Sequence, residues 1–112
     1  MWQGVKRYGT SRQKAEFARR SVDLFMRNWT ARGTCNENYK STDGTGDDYP
    51  HYTWGALLCQ IGIEAIYDVD GQGRPIGLDN EALTESLELR NVPAGGRLYT
   101  ISSVGGRVIV KP

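Results

Sequence analysis

The chain has 112 residues, of which 38% are hydrophobic and 24% are charged, and its formal net charge at pH 7 is +1. This composition is ordinary for one small soluble domain. The balanced charge and the lack of a basic stripe argue against nucleic acid and anionic membranes as partners. No apolar run reaches the roughly 18 residues that would span a bilayer.

The first residues, MWQGVKRYGT, lack the apolar core of a signal peptide, so the sequence indicates no cellular location. Basic residues before Gly9 are typical of the end of a helix. We therefore expect residues 1–9 to be the last turns of a helix that starts earlier, with a disordered start as the alternative.

A second helix is predicted near residues 11–32, with Thr10 or Ser11 as its cap and Gly33 as its stop. Its apolar residues recur at spacings of three and four and form one stripe. They are Ala15, Ala18, Val22, Phe25 and Trp29.

Residues 34–52 are rich in Gly, Asp, Asn and Thr and are predicted to form a loop. A loop of this length in a compact domain is usually functional or disordered. Its density of aromatic residues argues against disorder.

A third helix is predicted at residues 53–68, with Thr53 as its cap. It is apolar around nearly its whole circumference, which is typical of a helix buried on several sides. We expect missing neighbours to cover it, either further helices or a second copy of the chain. After DVDGQGRPIG the spacing of apolar residues changes from that of a helix to that of a strand. Three antiparallel strands are predicted near 85–91, 97–103 and 107–111.

Glu37 is the candidate catalytic residue. Asn36 and Asn38 flank it, so its neighbours can donate hydrogen bonds but cannot pair with its charge. A glutamate held at the mouth of a cleft can act as a general base on water. The alternative is a solvated loop glutamate.

The residues around Glu37 suit a carbohydrate ligand. Glycines at 44 and 46 let the backbone fold tightly against a ligand, while aromatic rings can stack on the C–H faces of a sugar. The rings are Tyr39, Tyr49, Tyr52 and Trp54. A Gly/Asp turn with its aromatic residues in the core is the alternative.

The segment ENYKSTDGTGDDYPHYTWGALL resembles the signature near the end of the catalytic toroid of inverting glycosidases of glycoside hydrolase family 63 and its relatives. That group includes mannosyl-oligosaccharide glucosidases, mannosylglycerate hydrolases and trehalases. The matching parts are Glu37-Asn38-Tyr39, the glycines at 44 and 46, and Tyr52-Thr53-Trp54. GVKRYG and FARRSVDLF also resemble helices of that toroid, so the resemblance covers roughly residues 2–70.

The resemblance implies that Glu37 is the general base of an inverting hydrolysis and that a sugar pocket surrounds it. The expected substrate-binding residues are Tyr39, Gly44, Gly46, Asp48, His51, Tyr52 and Trp54. The family's general acid is an aspartate far upstream, with no match in this sequence, so we expect a C-terminal piece of such an enzyme. Asp43, Asp47 and Asp48 are the local carboxylates that could substitute for it.

The sequence also contains two other candidate sites. DVDGQGRPIGLD, from Asp68, imitates a calcium-binding loop, but Pro75 and the terminal Asp79 depart from that pattern. Cys35 and His51 could form a thiolate pair, although no third orienting group is evident. Neither cysteine is expected to form a disulfide.

The sequence thus predicts an α+β chain: a toroid segment at residues 1–70 and a β appendage at 71–112. We expect a carbohydrate substrate, no metal or cofactor, and self-association or missing toroid helices. The alternative function is a noncatalytic carbohydrate-binding or self-associating domain.

Overall fold

The computed structural model describes the backbone of residues 1–112 and every side chain except that of Trp54. Over these residues the chain forms three helices and seven strands, and the strands make three small antiparallel sheets. The helices are α1 (Trp2–Tyr8), α2 (Ser11–Arg32) and α3 (Thr53–Glu64). The strands are β1 (Asn36–Tyr39), β2 (Gly46–Pro50), β3 (Tyr67–Val69), β4 (Pro75–Gly77), β5 (Leu87–Ala94), β6 (Arg97–Val104) and β7 (Arg107–Lys111).

The α+β class is confirmed, but the expectation that this is the end of an α/α toroid followed by one β element is wrong. The predicted loop at 34–52 contains the β1–β2 hairpin, and DVDGQGRPIG forms the β3–β4 hairpin. In both segments a turn lets the backbone N–H and C=O groups pair across strands. Helix α3 therefore ends at Glu64, four residues before the predicted end, and the first two strands lie between α2 and α3 in the chain.

Helix α2 has the bounds that the sequence predicts, and its two ends explain them. Thr10 and Gln13 form a capping box: the Gln13 N–H donates to Thr10 Oγ1 at 3.3 Å, and the Thr10 N–H donates to Gln13 Oε1 at 2.9 Å. At the other end Gly33 has φ +64° and its N–H donates to the carbonyl oxygen of Trp29. Such a left-handed glycine is a common end of a helix.

By its internal contacts the chain divides into a first unit, Met1–Glu16 with Ile63–Pro112, and a second unit, Phe17–Gly62. The core of the first unit consists of Ala15, Ile66, Leu83 and Ile101. Ile101 lies on β6, the central strand of the β5-β6-β7 sheet. Along β6 and β7, buried or half-buried residues alternate with more exposed ones, as expected for a sheet with one covered face.

The second unit contains most of α2, the β1–β2 hairpin and most of α3. The two helices approach closely where a Cβ on Gly62 would collide with Val22. Trp29 and Leu57 are 48% and 53% exposed, and such apolar surface often marks a contact site. Self-association stays a prediction. Among the described residues, no helix combines the length and apolarity needed to cross a membrane.

Candidate functional site

The hairpin that carries Glu37 is anchored on α2 through its turn and the start of β2. Asn28 is 4% exposed, and its side chain makes three hydrogen bonds: it donates to the carbonyl oxygens of Leu24 and Gly44 and accepts from the N–H of Gly46. Arg27 donates from a guanidinium nitrogen to the carbonyl oxygen of Asp43 at 2.9 Å. Side chains of α2 thus bind backbone groups of the turn and of β2, which holds the hairpin against the helix.

The end of the hairpin away from its turn packs against α3. A Cβ on Gly55 would collide with the carbonyl oxygen of Asn36, and a Cβ on Gly46 would collide with the Asn36 side chain. Glycine is therefore required at position 55 for close backbone approach, whereas a side chain at position 46 would have to displace the Asn36 side chain. Gly46 is buried, and its expected contact with a ligand stays a prediction.

Glu37 lies at a β-bulge. Asn36 pairs with Pro50 and Asn38 pairs with Asp47, so that one residue of β1, Glu37, lies opposite two residues of β2. These two are Asp48 and Tyr49. A bulge of this kind bends the strand, and bulges are over-represented beside active sites.

Two non-glycine residues with left-handed backbone lie beside this bulge. Asp48 has φ +55° and His51 has φ +61°. Such conformations cost free energy and persist where the surrounding structure enforces them. Asn38 Nδ2 also donates to Asp48 Oδ2 at 2.8 Å, which links the two strands through their side chains beside the bulge.

The Glu37 side chain is exposed, as are those of Asp48 and His51. Tyr49 and Tyr52 are 71% and 37% exposed. The structure thus brings Glu37, Asp48 and Tyr49 together on one hairpin, and it leaves their side chains open to solvent. Their assignment to a sugar pocket stays a prediction. Trp54 is also expected in that pocket, but its side chain is not among those that the structure describes.

Tyr39 and Gly44 line a cleft of about 370 Å³ in the second unit. The other lining residues are Arg20, Asp23, Leu24, Arg27, Lys40 and Ser41. The Tyr39 hydroxyl accepts a 3.2 Å hydrogen bond from the N–H of Asn36, which fixes the ring beside the strand. This is the concavity in which two of the expected sugar-binding residues meet.

The turn that closes the cleft is held by its own polar groups. The N–H of Lys40 donates to the carbonyl oxygen of Thr45, and the N–H of Gly44 donates to that of Lys40. The N–H of Thr45 donates to Asp43 Oδ1 at 2.8 Å, and this bond is the largest cause of the lowered pKa of Asp43. Nearby Lys40 and Arg27 lower that pKa further.

Sequence reasoning missed Asn28 and the cationic side of the cleft. Asn28 lies seven residues after Ser21, and both side chains are polar and buried. The sequence prediction for this helix rests on its apolar stripe and does not include these two residues. Arg20 and Arg27 also lie seven apart, with Asp23 between them, which places the three on one helix face. That spacing was the available signal, but nothing local indicates that the hairpin would complete a cleft there.

The alternative sites gain no support. Asp70 accepts hydrogen bonds from the N–H groups of Gln72 and Arg74 and from Arg74 Nε, so a turn forms where calcium was considered. No group of three or more His, Cys, Asp or Glu side chains within the described part of the chain could hold a metal ion. Both cysteines are free, and Cys35 is buried and donates its thiol hydrogen to the carbonyl oxygen of Tyr52.

No family model, no curated protein and no solved structure matches this chain.

Proposed function

We propose that the second unit supplies the general base for hydrolysis of a glycosidic bond, with Glu37 as that base. The observation that carries the proposal is the bulge: Glu37 lies opposite Asp48 and Tyr49 on a hairpin whose turn end is bound to α2 and whose other end packs against α3. A carboxylate that is open to water meets the first requirement of a general base, which must reach the water that it deprotonates.

The chemistry assigns one role to this chain. The Glu37 carboxylate takes a proton from water as the water oxygen attacks the anomeric carbon, and the leaving oxygen departs on the opposite face. In an inverting reaction a carboxylic acid protonates that leaving oxygen across a gap of roughly 6.5–9.5 Å. We propose that this acid comes from a residue other than those at the bulge.

A substrate whose leaving group needs no proton tests the base alone. α-D-Glucosyl fluoride and α-D-mannosyl fluoride release fluoride without a general acid, so the chain needs only Glu37 to hydrolyse them. We expect fluoride release above the spontaneous rate, with the β-anomer as the first sugar product by proton NMR. Glu37→Gln should lower the rate by about 10²–10⁴-fold, the usual contribution of a general base.

Glu88→Gln is the matched control, because it removes the same charge from an exposed glutamate on β5 whose partner is Arg90. It should leave fluoride release unchanged. Equal rates for Glu37→Gln and the parent chain, with both folded by circular dichroism, would overturn the hydrolytic proposal.

Noncatalytic carbohydrate binding is the second candidate, and the exposure of the Glu37 side chain favours it. Tyr39 and Gly44 already share a cleft, which a sugar could occupy without reaching a catalytic group. Saturation-transfer NMR with glucose and mannose, recorded on the parent chain, separates the two: binding without turnover supports this candidate, and no binding contradicts both.

A further inference from the structure

We propose that the cleft between α2 and the turn 40–45 binds the phosphate group of a small phosphate monoester. Its lining includes three positive side chains, Arg20, Arg27 and Lys40, and one negative one, Asp23, a net charge of +2. This site is separate from the chemistry assigned to Glu37, so either proposal can fail without the other.

Arg27 is the best placed of the cations. One of its guanidinium nitrogens donates to the carbonyl oxygen of Asp43, and this bond holds the group at the wall of the cleft. A guanidinium has five N–H donors in a planar fork that matches the oxygens of a phosphate. Holding the fork in place lowers the entropy that binding has to overcome.

Lys40 lines the same cleft from the turn. Its backbone is tied into the turn by hydrogen bonds to Thr45 and from Gly44, so its side chain starts from a fixed point on the rim. Lys40 and Arg27 both act on the Asp43 carboxylate, whose pKa they lower, which indicates that their charges converge on this region. Ser41, also at the cleft, adds a hydroxyl that can donate to an anion.

Gly44 keeps the space open. A Cβ at this position would lie 2.9 Å from Leu24 Cδ1 and 3.4 Å from Arg27 Nη1, and its φ of +73° disfavours any other residue. The glycine therefore leaves the wall that carries Arg27 unobstructed.

The charge selects among anions. A phosphate monoester carries about −1.5 to −2 at pH 7, so a lining with an excess of positive side chains attracts it more strongly than a monocarboxylate. The ionised carboxylate of Asp43, which accepts from the N–H of Thr45, lies nearby and reduces the local positive field. A cleft of about 370 Å³ accommodates a small sugar phosphate.

The test is a titration of the ¹⁵N-labelled chain with inorganic phosphate, glucose 6-phosphate, acetate and glucose at fixed ionic strength. We expect amide shifts around Lys40, Ser41 and Gly44 with both phosphates, tighter binding of glucose 6-phosphate than of glucose, and weaker binding of acetate. Lys40→Gln and Arg27→Gln should each weaken phosphate binding by about threefold or more, since exposed charge pairs contribute modestly.

Asp23→Asn separates a binding role from damage to the fold, because it should tighten phosphate binding by about threefold while a damaged cleft would bind more weakly. Lys111→Gln, a charge change on β7 outside the lining, should have no effect. Acetate binding as tight as phosphate, or an unchanged affinity in Lys40→Gln and Arg27→Gln, would overturn the proposal.

Discussion

The side-chain oxygen of Asn28 accepts a 2.7 Å hydrogen bond from the backbone N–H of Gly46, and this bond is buried. It joins α2 to the hairpin that carries Glu37. The amide nitrogen of the same side chain donates to the carbonyl oxygens of Leu24 and Gly44. One asparagine thus satisfies polar groups of both a helix and a strand.

We expect Asn28→Ala to lower the free energy of unfolding by about 2–4 kcal/mol, because it leaves the N–H of Gly46 and two carbonyl groups without this partner. Urea denaturation measures the change. Thr30→Ala, two residues along the same helix at an exposed position, is the control and should change stability by less than about 1 kcal/mol. Equal effects of the two substitutions would contradict a clamping role for Asn28.

Gly55→Ala tests the contact between α3 and β1. A methyl group there would collide with the carbonyl oxygen of Asn36, so we expect a loss of about 1–3 kcal/mol from overpacking. Gly4→Ala is the matched helical control, since nothing lies within 4 Å of its added Cβ. It should stabilise α1 by up to about 1 kcal/mol because alanine has the higher helix propensity. Destabilisation of similar size at both positions would show that the contact with Asn36 is not what matters.

Ser103→Ala is expected to stabilise the chain. Ser103 is fully buried on β6, and its hydroxyl oxygen has no hydrogen-bond partner among the described residues. Removing an unpaired buried hydroxyl relieves a desolvation penalty of about 1 kcal/mol. The urea midpoint should rise for Ser103→Ala and stay near the parent value for half-buried Ser102→Ala. A drop in midpoint for Ser103→Ala would mean that the hydroxyl makes a stabilising contact after all.

Acid should weaken the β3–β4 turn through Asp70. The hydrogen bond from the N–H of Arg74 is the largest cause of the lowered pKa of Asp70, with a further contribution from the N–H of Gln72. Because the folded-state pKa lies below the ordinary 3.8, ionised Asp70 stabilises the folded state above pH 3.8. This contribution is lost as the pH falls through the folded-state pKa.

Comparison of urea midpoints at pH 6 and pH 3 measures this effect. Asp70→Asn should be less stable than the parent chain at pH 6, and its midpoint should fall less between the two pH values. A parallel fall in both proteins would exclude Asp70 as a source of the acid sensitivity.

The elements that depend on local pattern were predictable. Helix α2 has its capping box, apolar stripe and terminal glycine within one stretch of sequence, and its bounds agree with the prediction. Strands β5, β6 and β7 agree to within three residues at their ends, because alternation and Gly-Gly turns indicate them locally. The end of α3 was predicted four residues too late, since its apolar run continues past Glu64 into residues that pair as strands.

The candidate site also has features that local sequence indicates and features that it does not. The sequence singled out Glu37 and its polar, aromatic surroundings, because residue types and their spacing are visible in one stretch of chain. It could not indicate the bulge at which Glu37 lies opposite Asp48 and Tyr49. It also could not indicate that Arg27 and Lys40 would line the same cleft. Those relationships depend on which backbone groups pair between segments far apart in sequence, and only tertiary hydrogen bonds such as that between Asn28 and Gly46 decide them.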